Sequence, residues 1–274
     1  MADSEMMTLG TVGAFGFEAF PQPEVLRLYA RAGCEVVQAY RHRDKAIAAK
    51  EVVAVCGGLG LRIDSLHAHF GDDLDPSSED EAARAAAVAY YEREAEYCRQ
   101  LGGDLVVIHP SPPNAPPGDV EHRYAQLRKS FDEYARLGER TGVRFAFENM
   151  PGYHPVGADV RRLVDEIASV GSERVVFLLD VAHAHLTCGI GAAIDMAGRR
   201  IAYTHVCDND GASDMHLLPY RGNLPWDECH EGLRRVGYNG VFLLEVFEKA
   251  EDLPGLLTEE WKRKMRVILN NRQP

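Results

Sequence analysis

No run of about 20 apolar residues occurs anywhere in this sequence, which argues against a helix spanning a membrane. Cations are in the minority: 30 Lys and Arg face 42 Asp and Glu, for a formal net charge of −12. Counterion release from a phosphate backbone needs clustered cations, so avid nucleic-acid binding is not expected. Paired cysteines are missing too. Cys34, Cys56, Cys98, Cys188, Cys207 and Cys229 are scattered without the spacing of zinc ribbons or redox motifs, and read as reduced, mostly buried thiols of a cytoplasmic protein. The start, Met1-Ala2-Asp3-Ser4-Glu5-Met6-Met7, is acidic and leads into no apolar stretch, so a secretory leader is not expected. A dinucleotide loop is also lacking, because Gly10, Gly13 and Gly16 do not have its spacing. That counts against a doubly wound open sheet.

What remains is a 274-residue chain, 46% hydrophobic and 26% charged, with no linker-like or low-complexity divide. Short apolar runs alternate with longer amphipathic segments almost from end to end, the pattern of a parallel α/β protein. The first strands are expected over 9–14 and 35–38. Helices are expected over 23–32, 44–56, 78–101, 120–140, 159–169, 192–197, 225–235 and 258–269. The helix at 78 would open on a Ser78-x-x-Glu81 capping box. Counting gives eight strands and about eight helices, hence a single-domain (β/α)8 TIM barrel over residues 8–274 behind a flexible tail at 1–7. The Pro-rich segment 110–117 reads as a stiff loop over the barrel mouth.

Six of the strand-like runs end in a side chain able to bind a metal. Asp64-Ser65-Leu66 ends in His67, Leu105-Val106-Val107-Ile108 in His109, and Arg144-Phe145-Ala146-Phe147 in Glu148. Val175-Val176-Phe177-Leu178-Leu179 ends in Asp180, Ile201-Ala202-Tyr203-Thr204 in His205, and Val241-Phe242-Leu243-Leu244 in Glu245. Barrel strands all aim their C-terminal ends at one face, so these side chains would meet at one mouth. Glu148, Asp180, His205 and Glu245 form an oxygen-rich set suited to a divalent ion, Mn2+, Mg2+ or Co2+, with Zn2+ as a further candidate. Three acids gathered there without a cation would repel one another. The plainer reading, each acid paired locally with a Lys or Arg, suits single strand ends better than four successive ones.

His67, His109, His183, Asp214 and His216 form a second tier: additional metal ligands, hydrogen-bonding partners of a polyol, or groups that orient the first set. His42, His69, His122, His154, His185 and His230 take a structural reading. Arg221 could fork to an anionic substrate group or pair with a loop acid. Phe15, with Phe17 and Phe20, and Trp226 could wall the pocket or pack the core. Arg41, His42 and Arg43 could meet an anion, but a solvated loop is the plainer reading.

Glu148-Asn149-Met150-Pro151-Gly152, Asp180-Val181-Ala182-His183-Ala184-His185 and His205-Val206-Cys207-Asp208-Asn209-Asp210-Gly211 resemble three segments of one superfamily. It is the xylose-isomerase-like barrel superfamily of sugar (phosphate) isomerases and epimerases, which includes the apurinic-site endonucleases. Leu66-His67-Ala68, Val107-Ile108-His109-Pro110, Asp214-x-His216, Trp226 and Leu243-Leu244-Glu245-Val246 extend the likeness to about residues 8–250. The resemblance implies the single-metal site of ketose 3-epimerases on Glu148, Asp180, His205 and Glu245, with the two glutamates as acid and base on opposite faces of the reacting carbon. It implies a substrate-oxygen contact at His183. All nine metal-ligand positions of the endonuclease branch also find a matching residue type here: His67, His109, Glu148, Asp180, His183, His205, Asp214, His216 and Glu245.

Two departures bear on the substrate. Where the family often runs Leu-Pro-x-Gly-Glu-Gly, this chain has Leu217-Leu218-Pro219-Tyr220-Arg221-Gly222. Gly211 stands where ketose epimerases carry a substrate-binding Arg, which points away from simple free ketohexoses.

Three functions follow. The leading one is a metal-dependent isomerase or epimerase of a sugar, keto-sugar or polyol derivative, by proton abstraction beside a carbonyl, with a lyase as a variant on the same site. The second is a multi-metal zinc hydrolase of phosphate esters. The third is a non-catalytic binding barrel. The partner expected is a small carbohydrate, with no membrane and no nucleic acid; a homo-oligomer is compatible with all three.

Overall fold

Eight runs rich in Val, Leu, Ile and Phe, each four to eight residues long, take up extended backbone and pair side by side. In the computed structural model, which describes residues 6–115 and 118–270, they are β1 (Thr8–Phe15), β2 (Val36–Arg41), β3 (Arg62–His67), β4 (Leu105–Ile108), β5 (Arg144–Glu148), β6 (Val175–Asp180), β7 (Ile201–Val206) and β8 (Val241–Leu244). Every neighbour pair is parallel, and β1 pairs with β8 to close the barrel. Side chains alternate across each strand. Val12, Leu105, Val107, Ala146, Leu178, Tyr203 and Leu243 fill the interior as one cluster. On β5 the flanking Phe145 and Phe147 turn outward, where Phe147 meets Phe131 at 4.5 Å and Phe145 meets Tyr134 at 5.0 Å.

The outer ring holds ten α-helices among the described residues: α1 (Glu24–Ala32), α2 (Ala49–Gly57), α3 (Glu81–Leu101), α4 (Val120–Thr141), α5 (Val160–Val170), α6 (Val181–His185), α7 (Ile190–Ala197), α8 (Trp226–Val236), α9 (Leu253–Leu256) and α10 (Glu259–Leu269). The single-domain (β/α)8 barrel is as expected; the short α6 and α9 are additions. The expected capping box at Ser78 is not what starts α3. Asp80 is the cap, accepting from the N–H groups of Ala82 and Ala83, while Ser78 Oγ accepts from Asp80 N–H and Glu81 turns to Arg84. A carboxylate facing the exposed N–H groups of a helix start is the stronger acceptor, so it sets the boundary. At the far end Gly102 adopts φ 87°, a left-handed cap open to glycine. The helix expected from residue 44 begins at Ala49, with 44–48 left as loop.

Residues 1–5 of the expected tail and Pro116 and Pro117 of the Pro-rich loop lie outside the described residues. Met7 is buried and donates its N–H to Leu269 O, and Met6 forms a bridge with Asn270. Five cysteines are buried and Cys188 is exposed, all as free thiols. Among the described residues no helix is long and apolar enough to cross a membrane.

Candidate metal centre

The strand ends deliver their polar side chains to one mouth. His67, Glu148 and Asp180 are the last residues of β3, β5 and β6; His205 is the next to last of β7; His109 and Glu245 follow β4 and β8 directly. Ligand atoms of Glu148, Asp180, His205 and Glu245 all lie within 4.8 Å of one another, and the four residues are buried. His205 Nδ1 stands 3.1 Å from Glu148 Oε1 and 3.2 Å from Glu245 Oε2. His67 Nε2 faces the remaining oxygens, 3.9 Å from Glu148 Oε2 and 3.7 Å from Glu245 Oε1. Asn149, the residue after β5, clamps Asp180, donating to its carbonyl at 2.9 Å and accepting its N–H at 2.8 Å.

Backbone carbonyls set the orientation of three histidines. His67 Nδ1 lies 2.8 Å from Ala68 O, His183 Nδ1 2.8 Å from Asn149 O, and His216 Nδ1 3.1 Å from Glu245 O. A carbonyl only accepts, so each Nδ1 carries a proton and Nε2 is left to face the cavity. For His205 the roles reverse. Ser65 Oγ donates to Asp64 at 2.7 Å, so it accepts from Gln38 Nε2 at 3.3 Å. That turns Gln38 Oε1 toward His205 Nε2 at 3.0 Å, placing a proton there and leaving Nδ1 as the nitrogen that faces the two glutamates. Such outer partners fix the ligating nitrogen in metal sites.

The donor set fits a cation. Glu148 Oε2 and Asp180 Oδ2 are buried and take part in no hydrogen bond, although His109 Nε2 stands 3.4 Å from the former. A desolvated carboxylate oxygen without a donor is costly unless positive charge faces it. Burial raises the Glu148 carboxyl, yet His205, His109 and His183 outweigh it and hold it well below the usual range. Burial likewise raises Glu245, and His205 brings it down to about 2. Asp180 is pushed up to about 7 by burial and by the charges of Glu148 and Glu245, against the pull of His183. Burial lowers His205, but the two glutamates drive it well above the imidazole range. Among themselves, then, the side chains balance charge with protons on His205 and in part on Asp180, which a divalent cation would replace. Burial holds His67 down at about 4, keeping it a neutral imidazole, the form that ligates.

A second cluster adjoins the first. His183 Nε2 and His216 Nε2 each lie 3.3 Å from the same oxygen, Asp214 Oδ2, and Asp214 Oδ1 is buried without a partner. The loop carrying Asp214 and His216 is anchored by buried Asp208, whose carboxylate accepts from the N–H groups of Asn209, Tyr220 and Leu224 and from Trp226 Nε1. Among the described residues the non-glycine positions with positive φ are His216 (48°) and Tyr220 (73°), both in this loop. Backbone strain of this kind persists where surrounding bonds over-determine it.

A cavity of about 320 Å3 opens above the two clusters, and His67, His109, Glu148, His183, Asp214, His216 and Glu245 line it. The other expected substrate contacts sit elsewhere. Phe15 packs in the core, Trp226 serves Asp208, and Arg221 pairs with Glu248 at 3.0 Å. Arg41 is held by Glu94 at 2.5 Å, and Arg43 pairs with Asp73. Several lining residues carried no functional reading in the sequence: Tyr40, Phe70, Met150, Tyr153, His154 and Phe247. His154, read as structural, lines the cavity with Nδ1 against Ser111 O at 2.8 Å. Gln38 was the one detectable signal, a lone amide within Val36-Val37-Gln38-Ala39.

Comparison with known proteins agrees with this architecture. The chain is 29% identical over 186 residues to an uncharacterized protein of Methanocaldococcus jannaschii, covering 66% of this chain and 63% of that one. It is 25% identical over 156 residues to fructoselysine 3-epimerase of Escherichia coli O157:H7, covering 56% of each. It is 27% identical over 193 residues to D-psicose 3-epimerase of Agrobacterium fabrum, covering 68% and 65%. The aligned segments thus span less than two thirds of these relatives' lengths. Among solved structures, a D-tagatose 3-epimerase-like protein superposes with a TM-score of 0.79 at 22% identity, over 95% of this chain and 99% of that one. D-psicose 3-epimerase determined with D-fructose gives 0.77 at 19%, over 96% and 100%. At these identities the superpositions speak for the fold. The model of the xylose isomerase-like TIM barrel family matches residues 26–270, so the chain belongs to that family.

Proposed function

We propose that this protein is a divalent-metal-dependent isomerase or epimerase of a keto-sugar, with Glu148 and Glu245 as its acid and base. The observation that carries this reading is the pair of buried carboxylates on one imidazole nitrogen, His205 Nδ1, inside a cluster that also holds Asp180. The names of the relatives, fructoselysine and D-psicose 3-epimerases, support sugar epimerisation. Glu148, Asp180, His205 and Glu245 would hold the ion, Mn2+ ahead of Mg2+, Co2+ or Zn2+. When bound it supplies Lewis acidity against the negative charge that develops on substrate oxygens. The protein does the proton work. One glutamate takes the proton from the carbon beside the carbonyl, through the oxygen turned away from His205, and the other returns one from the opposite side. His183 Nε2 and Asp214 reach the cavity as partners for substrate hydroxyls. A lyase acting on a keto-sugar derivative would use the same groups.

The test is solvent exchange. Metal-loaded enzyme in D2O is expected to place deuterium on the carbon next to the carbonyl of at least one keto-sugar, read by mass spectrometry. Failure to label any of a broad panel of keto-sugars would count decisively against the proposal. The second reading, a multi-metal hydrolase of phosphate esters, is favoured by one observation, the His183, Asp214 and His216 cluster beside the first. Two or three Zn2+ per chain with phosphatase activity would establish it instead.

Gln38 offers an independent check. Gln38→Met keeps the side chain's length and removes the acceptor that holds the proton on His205 Nε2. Mn2+ affinity by calorimetric titration is expected to fall by about 10- to 100-fold. Unchanged affinity would take Gln38 out of this role.

A further inference from the structure

Resting on the isomerase reading, we infer that the site selects an uncharged keto-sugar bearing an aromatic substituent at its outer end, and that Phe70 and Tyr153 form the subsite for that substituent. Among the described residues lining the cavity there is no Lys or Arg. The cations expected near the mouth are spent on local partners: Arg41 on Glu94, Arg43 on Asp73 and Arg221 on Glu248. A phosphate or carboxylate on the substrate needs Arg or Lys donors to offset its desolvation. It would instead meet Asp214 across the same cavity, and the histidines nearest to it, His183 and His216, are already engaged with that carboxylate at 3.3 Å. Polarity therefore lies at the floor, and the wall above it is apolar.

That wall is built from aromatic rings held in place by one another. Phe70 stacks on His109, centroids 4.4 Å apart and planes at 24°, and lies parallel to Tyr40 at 6.3 Å and 8°. Tyr40 is backed by Phe17 at 5.3 Å, and Phe247, also in the lining, is backed by Phe20 at 5.5 Å. Although Phe70 and Tyr153 line the cavity, they remain 41% and 60% exposed. Large apolar side chains left open at the rim of a polar site mark a place where a ligand's apolar part is received. The cavity's 320 Å3 is near the small end of ligand pockets, which run about 300–1,000 Å3. A sugar at the floor therefore leaves its substituent at the rim, against these two rings.

The experiment compares three probes on the Mn2+-loaded enzyme: methyl 3-keto-glucoside, phenyl 3-keto-glucoside and the 6-phosphate of the methyl compound. Binding is read by calorimetry, and turnover by deuterium incorporation. The phenyl compound is expected to bind about tenfold tighter than the methyl one, and the phosphate no tighter than the methyl one. Phe70→Ala should erase most of the phenyl preference, read as the ratio of phenyl to methyl binding within the same variant. Tyr153→Ala should reduce the preference independently. Equal binding of phenyl and methyl, or tightest binding of the phosphate, would overturn the inference. If the phenyl preference holds but no probe exchanges, the subsite stands and the isomerase reading falls. If exchange occurs without that preference, the reverse follows.

Discussion

Glu245→Gln is expected to lower solvent deuterium incorporation by about 10²- to 10⁴-fold, the range associated with a positioned acid or base. The amide keeps the size of the side chain and can still place a carbonyl oxygen toward His205 Nδ1, which lies 3.2 Å from Glu245 Oε2. It cannot accept a proton from carbon. Glu148→Gln should fall by a similar factor, because the reaction needs a group on each side. The double variant should then be little worse than either single one, since residues acting as a unit are not additive. Binding of a keto-sugar, measured separately by calorimetry, separates lost chemistry from lost affinity. Retained exchange in either single variant would remove that glutamate from proton transfer. Were both variants to keep substantial activity, the chemistry would have to fall to the cavity's other acidic and basic centres, His67, His109, His154, His183, Asp214 and His216.

Most of the barrel and much of its site can be read from the sequence for one reason. A strand in a parallel barrel has a known polarity, so its last side chain has a known destination. That places His67, Glu148 and Asp180 at the ends of β3, β5 and β6. Direction within loops is a different matter. Phe15 ends β1 at the mouth, but Val12 faces the interior, and three steps of a two-residue alternation turn Phe15 outward. Trp226 and Arg221 are near the mouth in sequence, yet their partners Asp208 and Glu248 become neighbours only through the fold. The same holds for Gln38, which meets His205 across 167 positions of chain. His154 and Phe70 lie in loops without periodicity, so nothing local marks them as cavity residues. The start of α3 is ambiguous in the sequence because Ser78 and Asp80 are both competent caps, and the choice rests on which one meets the free N–H groups.

Mn2+ added to chelator-dialysed protein is expected to raise Tm by roughly 5–10 °C and to restore exchange activity from nothing. At a free concentration 100 times Kd, a ligand of the native state alone stabilises by about 2.7 kcal/mol. For chains of roughly 150–250 residues each kcal/mol moves Tm by about 2–4 °C, and slightly less at this length. The physical source is the buried acid cluster, where Asp180 is pushed up to about 7 by burial and by Glu148 and Glu245. Asp180→Asn makes a sharper test than chelation alone. Its Oδ1 accepts from His183 N–H at 2.7 Å, a bond that Asn preserves, while its unpartnered Oδ2 becomes a donor facing two carboxylates. The variant should therefore match or exceed wild-type Tm in chelator and fall below it in Mn2+, because a like charge and a ligand are lost together. The two proteins would exchange rank with metal. A wild-type Tm unmoved by Mn2+, Mg2+, Co2+ or Zn2+, or an Asn variant destabilised equally in both conditions, would mean that these acids are held by hydrogen bonds and histidine protons alone.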